Sequence, residues 1–245
     1  MKSNLILSPS NLGVYVRTRK KRTVIYEEIG KKVYENLIPD TFLIHFENEA
    51  ELNFKPKKIN GIDEINQKCA VHFFQLLNSY NIPSSFLIDK PKNEIIVQKY
   101  EKLPIQLKVL NYPDKSIAKT FKVKIGESLA FPLFEIYYDG SAKNLINESH
   151  LLAFKIATLD ESKVMMRIAS KVNAIFKSYF ERRDYSLAEF HLEFGKFQDR
   201  IFLTSTFGYE NIKLVPKGDF PPLEAKTNSP RRIKESFINF QKLIY

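Results

Sequence analysis

The chain has 245 residues and a formal net charge of +10, with 44% apolar and 27% charged residues. That balance belongs to a folded globular protein and excludes a disordered polyelectrolyte. The one cysteine, Cys69, excludes an internal disulfide framework and a Cys-based zinc cluster. No apolar run reaches the roughly 18 residues of a membrane span. The apolar part of the opening "MKSNLILSPSNLG" is too short for a signal peptide, so a cytoplasmic protein with no membrane partner is expected. The positive excess asks for an anion: a phosphorylated metabolite, nucleic acid or an acidic surface. The one dense run is "RTRKKR", Arg17–Arg22. It lacks the interleaved aromatics of a nucleic-acid stacking platform and reads as a solvated turn between strands.

In chain order, "TVIYEE", "KKVYEN" and "TFLIHFEN" are short β-branched or aromatic runs between turn residues, which predicts strands. From Ile65 the period changes. Ile65, Cys69, Phe73, Leu76, Leu77 and Tyr80 fall at helical spacing, with Asp63 as the expected cap and Asn81 and Pro83 as the stop. "NEIIVQKY" and "LPIQLKVLN" follow as strands, the second expected to open at Pro104. A break near residues 101–104 divides the chain into residues 1–101, a sheet with one helix and a basic extension, and residues 102–245. The second part starts with loops and a strand at "PLFEIYY". A long helix then carries a capping box, Thr158 and Glu161, and an apolar stripe of Met165, Ile168, Val172, Ile175, Phe176 and Tyr179. "SLAEFHLEFG" and "RIFLTSTFG" form a hairpin across "KFQD". The Pro-rich "KGDFPPLEAKTNSP" predicts an irregular wrap. Ile233, Phe237, Phe240 and Leu243 or Ile244 predict a last docked helix. The fold class is α+β.

Three stretches offer chemistry. In "EFHLEFG", a period of two puts Glu189, His191 and Glu193 on one face and Phe190, Leu192 and Phe194 on the other. The first set is a solvated face or a set of ligands for a divalent cation. "YEEIGKKVY" is a hairpin with a glycine and paired lysines, suited to a phosphate but not a P-loop. "VLNYPDKSIAKTF" places Asn111, Ser116 and lysines in a turn after a strand, where an anion could lie.

Together and in order, these stretches resemble SAICAR synthetase. "IYEEIGKKVY" is similar to its "LYEGKAKKVY". Asn66-Gln67 with "NIPS" resembles its "NN" and "GIPT", "VLNYPDKS" its "VRNxxAGS", "INESH" its "VNExH", and "LAEFHLEFG" its "LVDFKLEFG". The likeness runs from about Ile25 to Leu214. It implies a kinase-like N-terminal sheet that holds ATP against a larger C-terminal part. It also implies a ligase that joins aspartate to a carboxyaminoimidazole ribotide through an acyl phosphate, with Mg²⁺ as cofactor and a homo-oligomer as the common assembly. By the same resemblance Lys31 meets a phosphate, and Gln98, Lys99 and Tyr100 meet the adenine. Asn111, Ser116, Glu210 and Lys213 hold the substrate, Glu193 holds Mg²⁺, and Glu189 and His191 stand at the catalytic positions. The departures are Glu28 for a glycine, Ile29 for a lysine, Leu110 for an arginine, His191 for a lysine and Ser205 for an aspartate. They leave two readings open: a ligase, its substrate kept or altered, and a catalytically degenerate nucleotide-binding or regulatory protein.

Overall fold

The computed structural model describes residues 22–52, 55–141, 143–217 and 229–245. Apart from Arg22, the basic run lies outside the described residues, as does the Pro-rich wrap over 218–228.

The elements in order are β1 (Val24–Glu28), β2 (Lys31–Glu35), β3 (Thr41–Phe46), β4 (Glu49–Leu52), β5 (Lys55–Lys58), α1 (Ile62–Ser79), β6 (Phe86–Lys90), β7 (Glu94–Gln98) and β8 (Glu101–Leu110). Then come α2 (Lys115–Phe121), β9 (Leu133–Tyr138), β10 (Leu145–Ile146), α3 (Glu148–Ala153), α4 (Leu159–Glu181), β11 (Tyr185–Phe197), β12 (Arg200–Leu203), β13 (Ile212–Pro216) and α5 (Pro230–Ile244). The class is α+β, with antiparallel sheets throughout. One sheet runs β1-β2-β3-β7-β6; a second runs β10-β9-β8-β11, and β12 and β13 share the far edge of β11.

Helix α1 joins the two layers. Its Ala70, Val71 and Phe74 pack on the first sheet with Val33, Ile44, Ile95 and Val97. Its opposite face, Cys69, Phe73 and Leu77, belongs to the larger core with β8, α4, β11 and α5. The Phe73 ring meets those of Phe176, Phe180, Phe207 and Phe240 at centroid distances of 5.2 to 6.2 Å. Burying a phenylalanine in this way contributes about 2–3 kcal/mol. The α4 capping box forms as its sequence predicts: Thr158 N–H donates to Glu161 Oε2 at 2.7 Å and Glu161 N–H to Thr158 Oγ1 at 3.2 Å. Of the α4 stripe only Ile175 is half-exposed, and in α5 it is Ile244 that is buried.

Four local expectations are corrected. Asp63 does not cap α1: its carboxylate accepts from Asn48 and Asn93 side chains, and Asn48 Oδ1 takes the Gly61 and Ile62 N–H groups instead. Pro104 does not open its strand, because β8 begins at Glu101. Two extra β8 residues accumulate against β11 between Lys102 and Gln106, and Pro104 sits in that irregularity, where a missing N–H costs no ladder bond. The second hairpin strand stops at Leu203 rather than running on through "TSTFG". Leu203 turns its edge to the other part of the chain, donating to Pro83 O and accepting from Ser85 N–H, each at 2.9 Å. Finally, the stretch read as loops contains the short helices α2 and α3, capped by Asp114 and Asn147. Asn147 and His150 of the "INESH" motif form that second capping box.

Candidate functional site

Directly opposed residues of an antiparallel pair share a face. The β11 register therefore determines what lies beside "EFHLEFG". Glu189 faces Leu110 on β8 and Lys213 on β13, His191 faces Lys108, and Glu193 faces Gln106. Beyond β8, Lys108 faces Glu135 and Gln106 faces Tyr137 on β9. The result is a polar floor across four strands. Its reverse is the core face, where Phe190, Leu192 and Phe194 are all wholly buried. An extra residue, Ala188, bulges β11 against β13 beside Glu189. A bulge of this kind re-aims the neighbouring side chain.

Two charge constellations stand on this floor. Around Glu189, Lys213 Nζ lies at 2.6 Å, Lys108 Nζ at 3.5 Å and His191 Nε2 at 3.6 Å. Lys108 also meets Asp114 at 3.0 Å and Glu135 at 3.8 Å. Burial alone would raise the Glu189 carboxyl, but His191, Lys213 and Lys108 outweigh it and hold the group at about 2. Burial alone would lower Lys108, and its carboxylate neighbours outweigh that and raise it. The imidazole is oriented from its other nitrogen, with Nδ1 2.8 Å from Gln106 Oε1.

The second constellation lies at the β1–β2 hairpin. Gly30 turns its tip at φ 81°, and a Cβ there would stand 2.9 Å from Glu49 O. The turn brings Glu28 opposite Lys31. Lys31 Nζ reaches Glu28 at 2.9 Å, Thr206 Oγ1 at 3.2 Å and Glu193 at 3.8 Å. Lys102, from β8, touches Glu28 and lies 3.1 Å from Glu193. Burial raises Glu28 and the two lysines pull it well below the usual carboxylate range. Between hairpin, α1 and floor opens a cleft lined by Glu28, Lys31, Asn66, His191, Glu193 and Glu210 among others. Ser205 closes its base, its Oγ accepting from Glu193 N–H at 2.6 Å where the β12 ladder has ended.

Of the residues expected from the sequence, Lys31, His191, Glu193 and Glu210 line this one cleft. Glu210 is fixed by the Glu51 N–H at 3.0 Å. Glu189 and Lys213 are their neighbours on the floor. Ser116 is exposed in the first turn of α2, joined to the floor through Asp114 and Lys108. Asn111 is buried and spends its amide on Asn173, in a reciprocal pair at 2.8 and 3.1 Å. At the connection between the sheets, the Gln98 and Lys99 N–H groups are bonded to Ser85 O and Asp40 O. The Tyr100 ring is buried and its hydroxyl lies 2.6 Å from that of Tyr26. The sequence reading passed over Lys102, Gln106, Lys108, Glu135 and Tyr137. The signal for the last four was the alternation of "PIQLKVL" and "LFEIYY", which sets Gln106 with Lys108 and Glu135 with Tyr137 on single faces; Lys102 lies outside both.

Among the described residues there is no closed cluster of three or more metal-ligating side chains. An ion carried by a polyphosphate does not need one: Mg²⁺ takes one or two carboxylates and fills its shell from phosphates and water. Glu193 offers a hard oxygen donor of that kind, and Glu210, whose carboxyl burial pushes up to about 7, offers a second once deprotonated, so the donor set fits.

Two antiparallel sheets with a polar cleft between them and a lysine-bearing hairpin over it are the frame of a small-molecule enzyme. The SAICAR synthetase family model matches residues 25–230, and the chain belongs to that family. Its relatives include phosphoribosylaminoimidazole-succinocarboxamide synthase of Wigglesworthia glossinidia brevipalpis, 30% identical over 209 residues, covering 84% of this chain and 87% of that protein. The enzyme of that name from Clostridium kluyveri is 31% identical over 199 residues, covering 80% of this chain and 85% of the relative. A type-2 SAICAR synthetase solved in complex with ADP superposes at a TM-score of 0.79, with 27% identity, over 90% of this chain and 97% of that one. The Ehrlichia chaffeensis structure, at 23% identity, shares the fold at a TM-score of 0.79 over 90% of this chain and 98% of its own.

Proposed function

We infer that this chain is an ATP-dependent carbon–nitrogen ligase of the SAICAR synthetase type. The observation that carries this reading is the family match over residues 25–230, supported by a single cleft that contains Lys31, His191, Glu193 and Glu210. In this reaction ATP transfers its γ-phosphoryl to the carboxylate of a carboxyaminoimidazole ribotide, leaving ADP. The amine of aspartate then attacks the acyl carbon, loses a proton and expels phosphate.

Such a transfer needs positioning and charge stabilisation more than covalent help from the protein. In this reading the hairpin ammonium of Lys31 meets a phosphate, and the Gln98–Tyr100 connection meets the adenine. Glu193 would hold Mg²⁺, which would supply charge neutralisation at the phosphates. On the floor, Lys213, half-exposed beside Glu189, meets an anionic substrate, while Lys108 is already neutralised by Glu189, Asp114 and Glu135; Glu210 closes the far wall, and Ser116 faces solvent at the α2 end. Asn111 contributes by fastening the Tyr112–Ser116 turn to α4. His191, backed by Glu189, is placed to hold or move a proton at Nε2. The division at residues 101–102 follows this plan, with nucleotide on the first part and acceptor on the second. The setting for these soluble substrates is the cytoplasm, and aspartate is the amine donor.

The test is aspartate-dependent ADP release from ATP, Mg²⁺ and the carboxyaminoimidazole ribotide. Wild type should turn over, and Glu193→Gln should lose about 10²–10³ in kcat while keeping its fold. Absence of aspartate-dependent release in the wild type would refute the reading and leave the degenerate, nucleotide-binding one.

A further inference from the structure

The four groups at the hairpin form a closed ring of alternating charge. Glu28 meets Lys31 at 2.9 Å, Lys31 meets Glu193 at 3.8 Å, Glu193 meets Lys102 at 3.1 Å, and Lys102 returns to Glu28. The ring ties both sheets together, since its members come from β1, β2, β8 and β11. Its net charge is zero, so in this state the cleft presents no free ammonium at the hairpin to an incoming anion.

The two carboxylates are not equally held. Glu193 lies in the middle of a thirteen-residue strand with β8 alongside, and its backbone N–H is bonded to Ser205. Glu28 ends an edge strand beside the Ile29–Gly30 turn. If one anion leaves, it is the one on the hairpin tip. A lone carboxylate bridging two ammonium groups also occupies the place that suits a phosphate, which presents the same kind of oxygen with more charge.

We propose that Lys31 and Lys102 form a two-ammonium polyphosphate clamp, and that the Glu28 carboxylate holds it shut as a tethered anion that the substrate's phosphates displace. Lys102 thereby becomes a phosphate-binding residue, supplied by β8 and not by the hairpin. Glu28 becomes the residue that determines how strong an anion must be to enter. This rests on the nucleotide-binding part of the function inferred above.

A structural role and a gating role for Glu28 predict opposite signs. Removing its charge deprives two lysines of a partner, so the ligand-free protein should melt lower in either case. A displaced gate predicts in addition that the same variant binds phosphate more tightly, which a purely structural role does not.

The experiment is calorimetric titration of the full chain, at fixed low salt without Mg²⁺, using ADP and inorganic tripolyphosphate as probes. Glu28→Gln should bind both about tenfold more tightly than wild type, and Lys102→Met about tenfold more weakly. A gain of affinity cannot arise from misfolding, so the Glu28→Gln arm stands even if Lys102→Met is damaged. Unchanged or weakened binding in Glu28→Gln would overturn the gate, and unchanged binding in a folded Lys102→Met would overturn the clamp. Both results leave nucleotide binding intact wherever wild type binds ADP. Failure of wild type and Glu28→Gln alike to bind either probe would overturn the nucleotide reading together with this one.

Discussion

Replacing Gly195 by alanine probes how closely the two sheets meet. An added Cβ would stand 2.8 Å from Cγ and Cδ2 of Tyr100 and 2.9 Å from Cγ2 of Thr204. Favourable carbon contacts lie at about 3.5–4.0 Å, so the methyl would intrude by roughly 1 Å on two sides. Neither neighbour has room to move. The Tyr100 ring is packed edge-on by Phe42 and Phe202, at 5.6 and 6.1 Å, and tied through its hydroxyl to Tyr26. Thr204 is 3% exposed. The cost therefore falls in the upper part of the overpacking range, about 2–3 kcal/mol. For a chain of this length each kcal/mol lowers Tm by about 2–4 °C, so calorimetry should record a loss of about 4–12 °C. A Gly195→Ala/Tyr100→Ala double variant should lose less than the sum of its singles, because truncation at Cβ removes the Cγ and Cδ2 atoms that make the clash. A single variant melting with the wild type, or strict additivity in the pair, would refute the assignment of this glycine to the Tyr100 contact.

Two more perturbations follow from the floor and the core. Glu189 is held at about 2 against a reference of 4.5, which corresponds to about 3 kcal/mol of stability. A depressed carboxyl contributes fully above its unfolded pKa and loses that contribution as pH falls through its folded one. Acid unfolding of wild type between about pH 4.5 and 2 should therefore be steeper than that of Glu189→Gln. Parallel curves by circular dichroism would contradict the charge network drawn around it. Asn173→Ala leaves the Asn111 amide buried without its partner and should cost about 1–3 kcal/mol in urea unfolding. Replacing both asparagines by leucine should recover part of that loss, and no recovery would point to packing instead of hydrogen bonding.

Much of this protein was legible before folding because the information is local. The α4 capping box, the apolar stripes of α1, α4 and α5, and the two faces of "EFHLEFG" depend on spacings of two to four residues. So does the β11–β12 hairpin, whose turn lies at Gln198 and Asp199, with φ 47° and 61°, the left-handed pair that two-residue hairpins favour. The short helices α2 and α3 escaped notice because one or two turns carry too little periodicity to count. Ordered motifs identified the family, and directed attention to Lys31 and Glu193, which line one cleft. By itself, then, the sequence determined the element types, the inward faces and the family.

Only the tertiary structure decided which charges meet. Lys102 is 74 residues from Glu28 and 91 from Glu193, and no spacing rule spans such distances. The partner of Asn111 was likewise invisible in the sequence: Asn173, 62 residues away, bonds its amide. Pairing of this kind is a property of strand register and of α1 drawing two sheets together. The apolar pattern selects that register to bury Phe190, Leu192 and Phe194, and the positions of the charges follow from it.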